Sequence, residues 1–245
     1  MNLYELSVQK DLTMWYSELT KRPSIVKKAS NKLQKKLHSY MPDKIQDGIT
    51  IAVKSMIETI IFASSCLTKA ATAHNPSLSE SDYLVEKMYK SYYKMALVQG
   101  VGFGLGGVLI NLADLPALLS IKVKFLFDCS KLYGFDIEKE EERIFMLYVF
   151  NLAFSNEEQR CKILPKIIHW DQIDLPVEID WLGIQKGYRD ALDIAKLLQN
   201  LPLVGAVAGG VANHQLMEKL KETAMNCYRL RVLNASNHRL LDFYR

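Results

Sequence analysis

Apolar residues recur at helical spacing along most of the chain, with no strand-like alternation of useful length and no repeat of solenoid period. Proline and glycine interrupt this pattern and separate the expected helices. These cover about Leu3–Leu19, Pro23–Tyr40, Pro42–Lys69, Glu80–Gln99, Asp114–Gly134, a helix opening at Asp136, Asn156–His169, Trp181–Asn200 and Leu203–Leu233. The pattern predicts an all-α fold: a single bundle-like domain over residues 1–245, with about nine or ten helices and two Gly-rich apolar helical segments.

Several residues carry signals for helix ends. Ser79 with Asp82 resembles a capping box, and Asp114 directly precedes a Leu-Pro helix start, where Asp is a favoured N-cap. Gly134 is suited to a helix C-cap. Pro165 is expected to disturb the helix that contains it.

Composition favours a folded protein and excludes two broad classes. Hydrophobic residues make up 49% of the chain and charged residues 24%, as in ordinary globular proteins. The net charge of +4 is too mild for nucleic-acid binding. The N-terminus lacks the features of a signal peptide. The four cysteines form no CxxC pair and no zinc-type spacing, so we expect buried thiols in a reducing cytoplasm: Cys66, Cys129, Cys161 and Cys227.

Two uncharged glycine-rich stretches stand out from the rest of the chain. Met95–Ala113 approaches the length of a membrane span but contains five glycines and two polar amides. It is either a tightly packed buried segment or a shallow contact with a membrane or with transporter helices. A dinucleotide fingerprint is not expected, because the preceding segment is helical in pattern. The second stretch is Leu201–Ala212, whose glycines at 205 and 209 share one helix face. The two stretches could pack together or form one apolar patch, with these candidate contact residues: Gly102, Gly104, Gly106, Gly107, Gly205 and Gly209.

The segment Ile25–Tyr40 is expected to form an amphipathic helix with one strongly basic face. Such a helix is either an ordinary solvated surface helix or a contact for anionic lipid. The basic face carries Lys27, Lys28, Lys32, Lys35 and Lys36.

Lys122 falls on the apolar side of its helix, among leucines and Cys129. A lysine there must be paired, reach solvent or lose its proton. We expect Lys122 to be partly buried and bonded to an acid or to carbonyls, either as a structural ion pair or, with Asp114, as a polar site. The histidines are scattered and form no HExxH motif, so no metal site is predicted. The sequence also shows no motif for a cofactor or for catalysis.

One stretch resembles a known family. GVGFGLGGVLINLADLPALLSIKVKFLFDCSKLYGFD, beginning at Gly100, is similar to the EcsC family, as are ITIAVKSMIET, LPLVGAVAGGVANHQLMEKL and AMNCYRLRVL. The resemblance covers about residues 10–235, and the Gly-rich turn followed by ADLP is its most specific part. It implies a bacterial helical protein whose namesake is encoded beside an ABC transporter, and it implies no catalytic residues.

Together these features favour a non-enzymatic accessory protein, cytoplasmic and peripheral on the inner face of the cell membrane or bound to an ABC transporter. Its partners would be an anionic membrane surface or a transporter, without nucleic acid. Two alternatives stay open. One is a helical module that encloses an apolar ligand such as a lipid. The other is a hydrolase with convergent polar groups near Lys122 and Asp114.

Overall fold

The computed structural model describes residues 2–21, 50–56, 58–59, 76–105, 115–173, 183–184, 186–187 and 205–236. Within these ranges the regular backbone is helical throughout, and the predicted all-α class is confirmed. Six α-helices and one 3₁₀ helix have defined bounds there, so the predicted nine or ten are not matched in this part of the chain. Residues 50–56 and 58–59 are also helical. The helices are α1 (Leu3–Thr20), α2 (Leu78–Leu105), α3 (Leu115–Leu132), α4 (Glu140–Phe154), α5 (Glu157–Ile168) and α6 (Gly205–Ser236), with the 3₁₀ turn Trp170–Gln172 after α5.

Local chemistry explains several helix ends. At α1, the Asn2 side chain accepts from the Glu5 backbone and the Glu5 carboxylate accepts from the Asn2 backbone, which forms a capping box. At the end of α3, Gly134 has a φ of 83°, a left-handed conformation that favours glycine. The backbone N–H of Phe135 reaches the carbonyl of Ser130 at 3.1 Å, as in a Schellman motif. The predicted role of Gly134 as a C-cap is confirmed.

Two predicted helix starts are wrong. The cap of α2 is Ser77, whose hydroxyl accepts from the Glu80 backbone at 3.3 Å, and Asp82 is buried and plays no capping part. Asp136 does not open a helix either. Its carboxylate accepts from the Glu138 backbone at 3.0 Å within the turn that follows α3, and α4 begins four residues later at Glu140. The cap of α2 therefore lies two residues earlier than predicted, and Asp136 instead closes a turn onto a backbone N–H two residues further on.

The core is centred on α4 and α6. From Glu142 to Phe154 every residue of α4 is buried. α6 packs against α2 over much of its length and also against α3 and α4. Aromatic side chains fill the junction: the rings of Tyr133 and Tyr228 stack with centroids 5.4 Å apart. This core fixes the relative positions of α2, α3 and α6, which carry the candidate site.

Cross-helix contacts define the direction in which these helices run. Between α2 and α6, Asp82 meets Arg229, Glu86 meets Lys221, and Tyr93 meets His214. Since the residue number rises on α2 as it falls on α6, the pair is antiparallel. α2 is also antiparallel to α3, because Asp82 bonds to Tyr133 whereas Tyr92 bonds to Asp128 at 2.5 Å. The C-terminal end of α2 therefore lies at the same end of the core as the N-terminal ends of α3 and α6.

Candidate functional site

The helix directions bring the two glycine-rich stretches to one end of the core. α2 runs beyond its predicted end at Gln99, through Gly102 and Gly104 to Leu105, so its last turns are rich in glycine. α6 begins at Gly205 and contains Gly209 in its second turn. Extending the antiparallel register from the pair Tyr93–His214 sets Gly102 level with Gly205. We call these helix ends, residues 100–105 and 205–210, the glycine-rich end.

Other residues of the predicted site lie outside the described residues. These are Gly106, Gly107, Asp114 and the five lysines Lys27, Lys28, Lys32, Lys35 and Lys36. Gly102, Gly104, Gly205 and Gly209 lie in these helix ends, and the contact roles of all of these residues stay predictions.

Lys122 lies on α3, in the half of the core that leads to the glycine-rich end. The α2–α3 contact Tyr92–Asp128 is 2.5 Å long, and Lys122 lies six residues from Asp128 toward the start of α3. That spacing is about 9 Å along a helix. The side chain is 1% exposed, more deeply buried than the partial burial predicted. Burial lowers the pKa of Lys122 to about 7, because the charged ammonium loses its hydration.

A buried polar cluster occupies the opposite half of the α2–α6 pair. The Asp82 carboxylate accepts hydrogen bonds from Tyr4 at 2.5 Å, from Tyr133, and from Nε of Arg229 at 3.0 Å. Burial acts to lower the pKa of Arg229, but the hydrogen bond and charge of Asp82 raise it above its usual value. The cluster joins α1, α2, the end of α3 and α6. Since Tyr4, Tyr133 and Arg229 all donate to the same carboxylate, the cluster holds these four elements in fixed positions.

A second buried ion pair joins α6 to α4. The Arg231 guanidinium donates to both carboxylate oxygens of Glu142, at 2.6 and 2.8 Å, and to Asp171 at 2.9 Å. Its carbon lies 4.1 Å from the ring centre of Phe135 and 4.4 Å from that of Phe145. The bidentate geometry and the flanking rings indicate a structural connection.

Neither cluster was found from the sequence. The partners Asp82 and Arg229 are 147 positions apart, and Glu142 and Arg231 are 89 apart. Local spacing carries no signal of such pairs. Glu142 was one of several acids in the first turns of a predicted helix, where the helix dipole accounts for them equally well. The one local hint is that arginines 229 and 231 alternate with the apolar residues Tyr228, Leu230 and Val232.

A groove of about 370 Å³ runs between α1 and α6, next to Glu86 of α2. Its apolar surface comes from Met14, Trp15 and Met225. Its polar lining carries five acids and two bases, together with Asn226: Asp11, Glu18, Glu86, Glu218, Glu222, Lys221 and Arg229. The groove therefore has an acidic rim and an apolar floor.

The bases of the groove are already paired, whereas three of the acids are not. Lys221 bonds to Glu218 at 2.8 Å and to Glu86 at 3.0 Å, and Arg229 bonds to Asp82. Asp11, Glu18 and Glu222 form no ion pair within the part of the chain that the structure describes. An excess of negative charge remains at the rim.

The described residues contain neither a cluster of metal-ligating side chains nor a helix suited to span a membrane. No group of three or more His, Cys, Asp or Glu side chains among them could hold a metal ion. None of the helices, within the ranges described, combines the length and the apolar character needed to cross a membrane.

Comparison with known proteins points to one family. Residues 7–233 match the model of the EcsC protein family. The chain is 41% identical over 219 residues to Protein EcsC of Bacillus subtilis, which covers 89% of this chain and 92% of that protein. It is 34% identical over 155 residues to the uncharacterized protein YdbA of the same organism, covering 61% and 57% of the two chains. No solved structure matches the chain.

Proposed function

The chain belongs to the EcsC protein family, and from that premise we propose that it is a non-enzymatic accessory protein that associates peripherally with the inner face of the cell membrane. The contact would be made by the glycine-rich end together with the lysine-rich segment Ile25–Tyr40. An ABC transporter embedded in that membrane is the protein partner that the family resemblance suggests. Binding, and not bond making or breaking, would be the chemistry.

The observation that carries the proposal is the convergence of two uncharged stretches at one end of the core. Met95–Ala113 and Leu201–Ala212 contain no charged residue, and their helical parts lie level with each other on α2 and α6. An apolar end without charges can enter the boundary between lipid headgroups and acyl chains at little desolvation cost. Small residues also allow the close approach that packing against transporter helices requires.

The lysines of Ile25–Tyr40 supply the second part of the proposal. A lysine near an anionic membrane surface contributes about 1 kcal/mol, so five of them would give substantial attraction at low salt. Neither signal is strong alone, since stable peripheral binding commonly needs both an apolar and a basic element. Electrostatic attraction would bring the protein to the surface, and the glycine-rich end would then make the apolar contact.

Co-sedimentation with vesicles tests the proposal. Purified protein is spun with neutral and with anionic vesicles at about 50 and 500 mM salt, over which screening shortens the range of the lysine charges several-fold. We expect binding to anionic vesicles, with a part that salt removes and a part that resists salt. Absence of binding to either vesicle would contradict direct lipid contact and leave a protein partner or an enclosed apolar ligand.

A matched pair of variants separates the lysine-rich segment from general charge. In one variant Lys27, Lys28, Lys32, Lys35 and Lys36 become glutamine. In the control, five exposed lysines on other parts of the chain are changed in the same way: Lys10, Lys54, Lys87, Lys90 and Lys139. Both variants lose the same net charge, so only the first should lose the salt-sensitive binding.

A further inference from the structure

The groove between α1 and α6 is a surface separate from the glycine-rich end. Its α6 lining starts at Glu218, nine residues beyond Gly209, which corresponds to about 13 Å along a helix. On α1 it is lined from Asp11 to Glu18. A ligand in the groove would therefore leave the glycine-rich end accessible, and the two proposals can fail independently.

An exposed apolar side chain in the groove favours a macromolecular ligand. Met14 is 51% exposed, whereas Trp15 and Met225, which also line the groove, are 8% and 3% exposed. Methionine and tryptophan adapt well to a partner's apolar side chains. Small inorganic cations would make no use of this floor, because hard cations bind oxygen ligands.

Charge at the rim restricts the chemistry of that ligand. Glu86 and Glu218 already share Lys221, and hydrogen bonding to Lys221 offsets burial and lowers the pKa of Glu218. The carboxylates of Asp11, Glu18 and Glu222 are exposed and remain available to a partner. A ligand with basic groups on its edges would be complementary to them.

The length of the groove is consistent with a short helical ligand. From Glu218 to Arg229 the α6 lining spans about 17 Å, or roughly three helical turns. A helix that presents apolar side chains at i, i+3 and i+7, with lysine or arginine beside them, matches both the floor and the rim.

We propose that the groove between α1 and α6 is a docking site for a lysine- or arginine-rich amphipathic helix of a partner protein. The partner's apolar face would contact Met14, and its basic residues would pair with Asp11, Glu18 and Glu222.

The test uses the full chain and a defined probe. The probe is a fluorescent peptide of about 14 residues, which as a helix spans about 21 Å, made of leucine and lysine with the leucines on one face. A scrambled peptide of the same composition is the control. Fluorescence anisotropy should show binding of the amphipathic peptide that weakens with salt, with the scrambled peptide roughly tenfold weaker.

Variants locate the binding. Glu18→Gln with Glu222→Gln should weaken the amphipathic peptide by roughly three- to tenfold, as expected for two partly exposed ion pairs. Glu138→Gln with Glu140→Gln removes two exposed acids that do not line the groove and should leave affinity unchanged. Met14→Ser should weaken binding without changing its salt dependence. Equal effects of the two acid pairs, or equal affinity for the scrambled peptide, would overturn the proposal.

One more variant tests the rival occupant, the chain's own lysine-rich segment. If the peptide bound several-fold more tightly after the five lysines of Ile25–Tyr40 were changed to glutamine, the groove would already be occupied from within the chain. That result would overturn the assignment to a partner protein. Unchanged affinity supports it.

Discussion

Replacing Lys122 with methionine should remove a distinct pH dependence from the stability of the protein. Lys122 is 1% exposed on α3, and Leu119, Phe125 and Leu126 of the same helix are also buried. Methionine keeps the unbranched shape and similar volume, so packing should change little. What it removes is the titration of a buried ammonium group.

The size of the effect follows from the pKa of Lys122. Burial lowers it to about 7 from the ordinary 10.5. Between these values the unfolded chain holds a proton that the folded chain has released, so wild-type stability rises with pH. The slope approaches 1.4 kcal/mol per pH unit, and the stability gain between pH 7 and pH 9.5 is about 3 kcal/mol. Well below pH 7 both states hold the proton, so this contribution no longer changes with pH.

Urea unfolding of both proteins at several values from pH 6.5 to 9.5 measures this directly. Other groups also titrate in that range, because burial raises the pKa of the Cys129 and Cys227 thiols and so lowers stability at alkaline pH. These groups are present in both proteins and cancel in the difference. Between pH 7 and pH 9.5 the stability of wild type should rise by about 3 kcal/mol relative to that of Lys122→Met.

A difference that stays constant with pH would refute the reasoning. It would mean that Lys122 keeps its ordinary proton affinity in the folded protein, through a charged partner.

Three further predictions follow from the described contacts. Asp82→Ala should lower the free energy of unfolding by about 3 kcal/mol, because it leaves the Arg229 guanidinium partly buried without its carboxylate, and denaturant titration measures this. Gly187→Val should lower the melting temperature, since even a Cβ at this position would lie 3.3 Å from the carbonyl oxygen of Phe154 and the branched side chain adds to the crowding. Cys161 is exposed and should react with a thiol reagent in the native state, whereas the two buried thiols of α3 and α6 should react only after unfolding, as peptide mapping by mass spectrometry would show.

Features of the fold that depend on neighbouring residues could be predicted from the sequence. Gly134 ends α3 through its own left-handed backbone and two local hydrogen bonds, so its role could be predicted from residues 130–135 alone. Lys122 was placed on the apolar side by helical spacing, and that side is the buried one. Both predictions need only the geometry of a single helix.

Features that depend on distant parts of the chain could not be predicted in this way. Asp82 was assigned to a cap because Ser79 lies three residues before it, yet its partners come from α1, the end of α3 and α6. Similarly, the close approach of Gly187 to the end of α4 has no signature in the residues around Gly187. The acidic groove combines residues of α1, α2 and α6 and has no signature in any one of them.

The most direct test of the membrane contact places an environment-sensitive fluorophore at each end of the core. In a chain with Cys66 and Cys161 changed to serine, a single cysteine at position 104 or at position 138 is labelled and mixed with anionic vesicles. The label at 104, in the glycine-rich end, should brighten and shift to the blue as it enters the headgroup region, and the label at 138, beyond the far end of α3, should not. A shift at 138 instead, or no shift at 104 while the protein co-sediments with the vesicles, would contradict the proposal that the glycine-rich end is the membrane contact.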